Sequence, residues 1–174
     1  MRLDLAANCV HHARMAMEIE HKFLLCNDSW RDLADAGLRM VQGYLAGDER
    51  QSIRVRIAGE RAWLNIKHAQ SLIVRREFEY LIPLADADEI LTHMCANGRV
   101  DKTRFRVPVG EHTFEVDVFH GDNDGLIVAE VELQYEAEAF VRPDWLGDEV
   151  SHDTRYFNHN LVAHPYSVWS QRAN

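Results

Sequence analysis

The sequence predicts an α+β protein built on one antiparallel sheet of about eight strands, with a few short helices placed irregularly between them. Three observations carry this expectation. In the stretch from Met17 to Leu25, charged residues stand at every second position (Glu18, Glu20, Lys22) with Ile19 and Phe23 between them. That is the spacing of one face of a strand. The same alternation recurs along the chain between Gly-, Asp- and Asn-containing turns. The helical stretches are too few and too unevenly spaced for a repeating parallel sheet, and about eight strands suit a sheet that closes on itself.

A chain of 174 residues, 47% hydrophobic and 27% charged, is long enough for one domain with a real core. Residues 1–16 show no periodicity and read as a mobile N-terminal extension, leaving 17–174 as a single domain. No apolar run approaches the roughly 20 residues of a membrane span, and the N-terminus has no signal-like apolar stretch. Three widely spaced cysteines (Cys9, Cys26, Cys95) make no disulfide framework, which fits a cytoplasmic protein. The formal net charge of −9 argues against a nucleic-acid or membrane partner, although an enclosed site can oppose the bulk sign.

In order, strand patterns cover 17–26 and 38–45, with a short helix near 30–36 between them. A hairpin follows over 52–57 and 62–67, then a strand over 75–81 closed by Pro83. Asp86 or Asp88 caps a helix ending before Gly98. Strands over 100–107, 113–119 and 126–133 come next, then short helices near 137–141 and 158–163. Trp63, Trp145 and Trp169 read as core and closure residues, and the ten histidines as scattered surface groups.

Same-parity charges accumulate strand by strand: Glu18, Glu20 and Lys22; Arg54 and Arg56; Arg75, Glu77 and Glu79; Lys102, Arg104 and Arg106; Glu115 and Asp117; Glu130 and Glu132. Two architectures fit. Either the apolar faces meet in a core and the charges face water, or the sheet closes with its charges inside and helices over its apolar exterior. The second requires a hydrated cavity and a charged ligand, because each uncompensated buried ion costs on the order of several kcal/mol. In that case Arg54, Arg56, Lys67, Arg75, Lys102 and Arg104 suit a polyanion such as a chain of phosphates. Glu18, Glu20, Glu130 and Glu132 supply hard oxygen ligands suited to Mg²⁺ or Mn²⁺. Such a combination suits phosphoryl transfer by electrostatic stabilisation. Neither a phosphate-binding Gly-rich loop nor a Ser nucleophile motif is present.

Glu18-x-Glu20-x-Lys22 resembles the opening motif of the CYTH domain family, the triphosphate tunnel metalloenzymes. Gln42-Gly43-Tyr44-Leu45, Arg54-x-Arg56, Lys67, Arg75-x-Glu77-Phe78-Glu79, Lys102-Thr103-Arg104-Phe105, Glu115-x-Asp117-Val118-Phe119 and Ala129-Glu130-Val131-Glu132 follow in the family's order. Asp153-x-Arg155-Tyr156-x-Asn158 is similar to its C-terminal signature. The resemblance implies an eight-stranded antiparallel closed β-barrel, a tunnel with a charged interior and a few helices packed outside. It implies a Mg²⁺- or Mn²⁺-dependent hydrolase of inorganic tripolyphosphate, slower on nucleoside triphosphates. Thiamine triphosphatase, class IV adenylyl cyclase and a non-catalytic polyphosphate- or nucleotide-binding module stand as alternatives. Tyr44 and Lys22 would position or deprotonate the attacking water, Tyr44 as a phenolate favoured by its cationic neighbours. Arg155 would join the phosphate-binding set and Asp117 the metal set. The expected partner is a small triphosphate, with a homodimer left open. Arg76, Arg106, the loop 122–124 and residues 1–16 depart from the family pattern.

Overall fold

Each alternating segment becomes a strand because its odd and even side chains face two different environments. The computed structural model describes residues 14–48, 50–95 and 98–169. The strands are β1 (Arg14–Leu25), β2 (Leu38–Gly47), β3 (Gln51–Ala58), β4 (Arg61–Ala69), β5 (Val74–Ile82), β6 (Arg99–Val109), β7 (His112–His120), β8 (Ile127–Leu133) and β9 (Leu146–Glu149). Helix α1 spans Leu84–His93 and α2 spans Asn158–Ala163.

All pairings are antiparallel, in the order β5-β4-β3-β2-β6-β7-β8-β1-β9, and β5 also pairs with β1. The first eight strands of this order therefore close into a ring, as expected. The long strand β1 makes closure possible by serving two neighbours. Its first half pairs with β5 (Arg14↔Glu79 to Ile19↔Val74), and its second half pairs with β8 (Ile19↔Leu133 to Leu24↔Val128). The edge that β5 leaves open on β1 is covered by β9 at Phe23 and Leu25. Unpaired backbone on a sheet edge is a liability that such a cap removes.

The apolar parities face outward and are covered. Phe23, Phe114, Val116, Val131 and Val107 pack with Trp30 and Trp145. Val55 and Ala62 pack under Ala87 and Leu91 of α1 and under Cys95. A β-carbon on Gly43 would lie 2.6 Å from the Cys95 sulfur, so helix and strand approach as closely as they do because that side chain is missing.

The interior is not charged throughout. Leu24, Val100, Phe119 and Val128 continue the charged rows by one step at the same end of the ring. There Val100, Phe119 and Val128 pack with Leu161 of α2, with Leu24 against the cluster. The charged cavity thus ends on an apolar plug.

Three expectations need correction. Strand β1 begins at Arg14, ahead of the expected 17, because backbone pairing with β5 extends it past the end of the hydropathy alternation. The remainder of the expected extension, residues 1–13, lies outside the described residues. The helix expected near 30–36 is a 3-10 turn over Ser29–Leu33. No helix forms at 137–141; that segment is drawn onto the ring by Phe140, whose ring meets Phe23 at 5.9 Å and Phe114 at 6.0 Å. Among the described residues no helix is long and apolar enough to cross a membrane.

Replacing Gly43 with alanine is expected to destabilise the protein by about 1–3 kcal/mol through overpacking. Adding Cys95→Ala should return part of that loss in denaturant unfolding, whereas strictly additive losses would contradict the close approach.

Candidate active site

The inward parities enclose a cavity of about 460 Å³. Eight lysines and arginines and seven glutamates line it, so its wall is nearly balanced in a chain of net charge −9. Neighbouring strands explain how so many charges coexist: the basic row of β6 lies beside the acidic row of β7, with Arg104 opposite Asp117 and Arg106 opposite Glu115.

Arg104 is the most heavily engaged cation. It grips Asp117 with Nε and Nη2 at 2.7 Å each, reaches Glu130 Oε2 at 2.6 Å, and also meets Glu115. Lys102 donates to the same Asp117, and Lys22 donates to Glu20 and to Glu130. On the opposite arc, Lys67 donates to Glu18 at 2.6 Å and lies 3.3 Å from Glu77. Arg56 donates to Glu79 at 2.8 Å, and Arg54 lies 3.6 Å from Glu77. Asn65 donates to both Glu77 and Glu79 at 2.7 Å.

Two features of the wall remain unbalanced. The first is cationic: the Nε–H groups of Arg54 and Arg56 are buried without an acceptor, and Arg75 makes no salt bridge among the described residues. Buried donors without partners cost about 1–3 kcal/mol each, which an anion in the cavity would recover. The second is anionic: Glu20 faces Glu132 directly across β1 and β8, an arrangement that is repulsive. Desolvation pushes the Glu132 carboxyl up, and the charges of Glu18, Glu115 and Glu20 add to it. Glu18 is raised as well, by burial and by Glu77, against the pull of Lys67.

Those unbalanced carboxylates fit a hard divalent cation by their donor chemistry. Glu132 has no ion pair among the described residues and Glu18 and Glu20 have one each, with Lys67 and Lys22, whereas Glu130 and the fully buried Asp117 are each held by two cations. Among the described residues no three acidic, His or Cys side chains already converge on one point.

Tyr44 projects into the cavity two residues after Gln42, which donates to its hydroxyl at 3.0 Å. Burial raises the phenol above its ordinary value, and Arg54, Arg75 and Lys22 lower it by less. Burial thus works against the phenolate that the cationic surroundings favour. For Lys22, burial alone would weaken the ammonium, but Glu130 and Glu20 outweigh it and hold its pKa above the ordinary value. Lys102 behaves oppositely: burial, aided by Arg104, brings it down to about 8 despite its contact with Asp117.

The structure brings Lys22, Tyr44, Arg54, Arg56, Lys67, Arg75, Lys102, Arg104, Glu18, Glu20, Glu130 and Glu132 to this one cavity. Asp117 stands behind Lys102 and Arg104, off the cavity surface. Arg155 is outside it, exposed, bound to Asp153 at 2.5 Å and stacked near Trp169. Gln42, Ser52, Thr113, Glu77, Glu79 and Glu115 also line the cavity, all on the inward parity that alternation identifies. Arg106 lines it too, while Arg76 points to solvent. Phe157, Asn158 and His159 roof it from the start of α2, where no periodicity announces them. His159 is thus no surface histidine: its ring packs edge-on against Tyr44 with centroids 6.2 Å apart.

The site is thus the interior of a closed antiparallel ring, highly charged and nearly balanced in sign. The chain belongs to the CYTH domain family, whose model matches residues 16–166. It is 42% identical over 157 residues to an inorganic triphosphatase of Acetivibrio thermocellus, covering 90% of this chain and all of that protein. An inorganic triphosphatase of Nitrosomonas europaea is 36% identical over 150 residues, covering 83% of this chain and 96% of the relative. The crystal structure of the inorganic triphosphatase NE1496 superposes with a TM-score of 0.61 at 31% identity, over 84% of this chain and 94% of that one.

Lys102 yields a proton-linked prediction. Its pKa near 8 lies below the unfolded value of about 10.4, so it is partly neutral at pH 8.5. An anion entering the cavity favours the ammonium, and binding at pH 8.5 should take up protons. Calorimetry in buffers of different ionisation enthalpy reads that uptake, which should fall away at pH 6.5 and in Lys102→Met.

Proposed function

We propose that the protein is a metal-dependent hydrolase of inorganic triphosphate. The observation that carries this reading is the pairing, on one cavity wall, of acceptor-less arginine donors with a patch of mutually repelling carboxylates. A linear triphosphate answers the first and a divalent cation the second. Similarity to two proteins named inorganic triphosphatases supports the same reading.

In this reading Arg54, Arg56 and Arg75 hold phosphoryl oxygens through planar, fork-like donors, and Lys67 adds a compact charge beside them. Lys102 and Arg104 offer charge from the opposite arc, anchored by Asp117 so that they need no reorganisation when charge shifts toward the leaving group. Glu18, Glu20 and Glu132 hold Mg²⁺ or Mn²⁺, which supplies electrostatic neutralisation of the phosphate oxygens. Glu130 acts one step behind, keeping Lys22 charged and directed. Tyr44 and Lys22 organise the attacking water at the plugged end, under the roof of Phe157 and His159. The roof and plug limit bulk water, which strengthens each of these interactions. Arg155, remote from the cavity, has no direct contact with phosphate in this scheme. A cytoplasmic location belongs to the same reading and agrees with free thiols at Cys26 and Cys95.

The direct test is phosphate release from tripolyphosphate with Mg²⁺ or Mn²⁺, against a chelated control. Release that requires the cation is expected; no release with either ion would overturn the assignment. Glu132→Gln should cut cation-dependent turnover by about 10²-fold or more. Its unfolding midpoint should hold or rise, because a repulsive charge has been removed. A fall in stability with full turnover would remove Glu132 from the metal set.

A further inference from the structure

The ladder along one edge of β1 has a gap, and the gap falls on the charged row of the cavity. Pairing with β5 ends at Ile19↔Val74, with one further bond from the Glu20 N–H to the Ile73 carbonyl at 3.0 Å. Pairing with β9 begins only at Phe23↔Glu149. Lys22 stands between the two neighbours. Its carbonyl accepts from the Val150 N–H at 2.8 Å, one residue past the end of β9. Its own N–H donates to a side chain, Ser151 Oγ at 2.9 Å. Ser151 is 2% exposed, and its hydroxyl donates to Glu149 Oε1 at 2.7 Å. An ionised carboxylate can only accept, so the O–H points to Glu149 and a lone pair is left for the Lys22 amide. Glu149 Oε1 also accepts from His21 Nδ1 at 2.8 Å. Burial raises the Glu149 carboxyl, but the bonds from Ser151 and His21 outweigh it and bring the group below its ordinary value.

We propose that Ser151 is a positioning residue for the reaction. Its hydroxyl closes the gap in the ladder and fixes the backbone from which the Lys22 ammonium reaches Glu20 and Glu130. Ser151 is not among the residues that line the cavity, so it acts through Lys22 and not on the ligand. Without the hydroxyl, the Lys22 N–H would be buried with no acceptor, and this short stretch of β1 would have to shift to recover one. A shift of the backbone carries the ammonium away from its place between two carboxylates. Displacements of about 1 Å at a functional group cost on the order of 10²-fold in rate. The inference rests on the triphosphatase reading for the reaction; the hydrogen bond is a property of the protein alone.

Two measurements test the proposal. Amide hydrogen exchange reads the bond without turnover. The Lys22 N–H should be protected in the unmodified protein and exchange about 10-fold or more faster in Ser151→Ala, while the β1 amides on the β8 side keep their protection. Unchanged protection at Lys22 would overturn the proposal. For turnover, Ser151→Thr keeps the hydroxyl, and Ser151→Val replaces it with a methyl group in a side chain of the same shape. Assayed well below its unfolding midpoint, Ser151→Val should lose about 10-fold or more in kcat with KM within about 2-fold, and Ser151→Thr should retain most of kcat. Full turnover in Ser151→Val, or an equal loss in both variants, would overturn the positioning role. Failure of the hydrolase reading is recognised separately, by absence of phosphate release from the unmodified protein, and the exchange measurement then decides on the bond.

Discussion

Glu130 is held from two sides, by Lys22 of its neighbour strand β1 and by Arg104 of β6, and the interior of the ring depends on contacts of this kind. Period-two alternation on a sheet that closes leaves the inward parity little access to bulk solvent. Charged rows must then be neutralised within the ring, by the row beside them or across the cavity. Buried charges without partners cost several kcal/mol each, comparable to the whole stability of a domain. Sorting of sign by strand is how the chain satisfies that constraint. The basic row of β6 lies beside the acidic row of β7, Arg54 and Arg56 of β3 reach past β4 to Glu77 and Glu79 of β5, and Arg104 binds three carboxylates at once.

Neutrality of the whole wall conceals local imbalance, and that imbalance is where chemistry becomes possible. The pairings at Asp117 and Glu130 are saturated and rigid, so they fix the positions of Lys102, Arg104 and Lys22 without offering a ligand site. Around Arg54 and Arg56, donors are left over; among the described residues Glu132 has no cation and Glu18 and Glu20 hold only one each. A triphosphate and a hard cation would complete the two halves together. The apolar plug of Val100, Phe119, Val128 and Leu161 closes the same cavity from one end, so the ligand is enclosed as well as attracted.

Much of this was legible from alternation. The parity of Glu18, Glu20 and Lys22 put them on one face, and the ordered motifs decided that this face is the inside. The plug was legible in principle, since four charged rows end in an apolar residue at the same end: Leu24 after Lys22, Phe119 after Asp117, Val100 before Lys102 and Val128 before Glu130. Gln42 carried the signal of its inward parity but looks ordinary without Arg54 and Tyr44 beside it. Other features left no local trace. His159 and Phe157 reach the cavity only through the path of the C-terminal segment, and β9 pairs because β1 has a free edge, not because 146–149 alternates. Tyr44 shows the same limit: nearby cations are visible in a sequence, whereas the desolvation that opposes them is not.

Thermal unfolding in tripolyphosphate and Mg²⁺ tests the central claim most directly, because it reads whether the inward charges await a ligand. At 100 times its dissociation constant a ligand adds about 2.7 kcal/mol to stability. That corresponds to a rise in Tm of about 5–10 °C for a chain of this size. Tripolyphosphate with Mg²⁺ should produce such a rise, saturating with concentration, while sodium chloride at equal ionic strength should not. A Tm that follows ionic strength alone would mean the wall is balanced by itself, and would contradict the account.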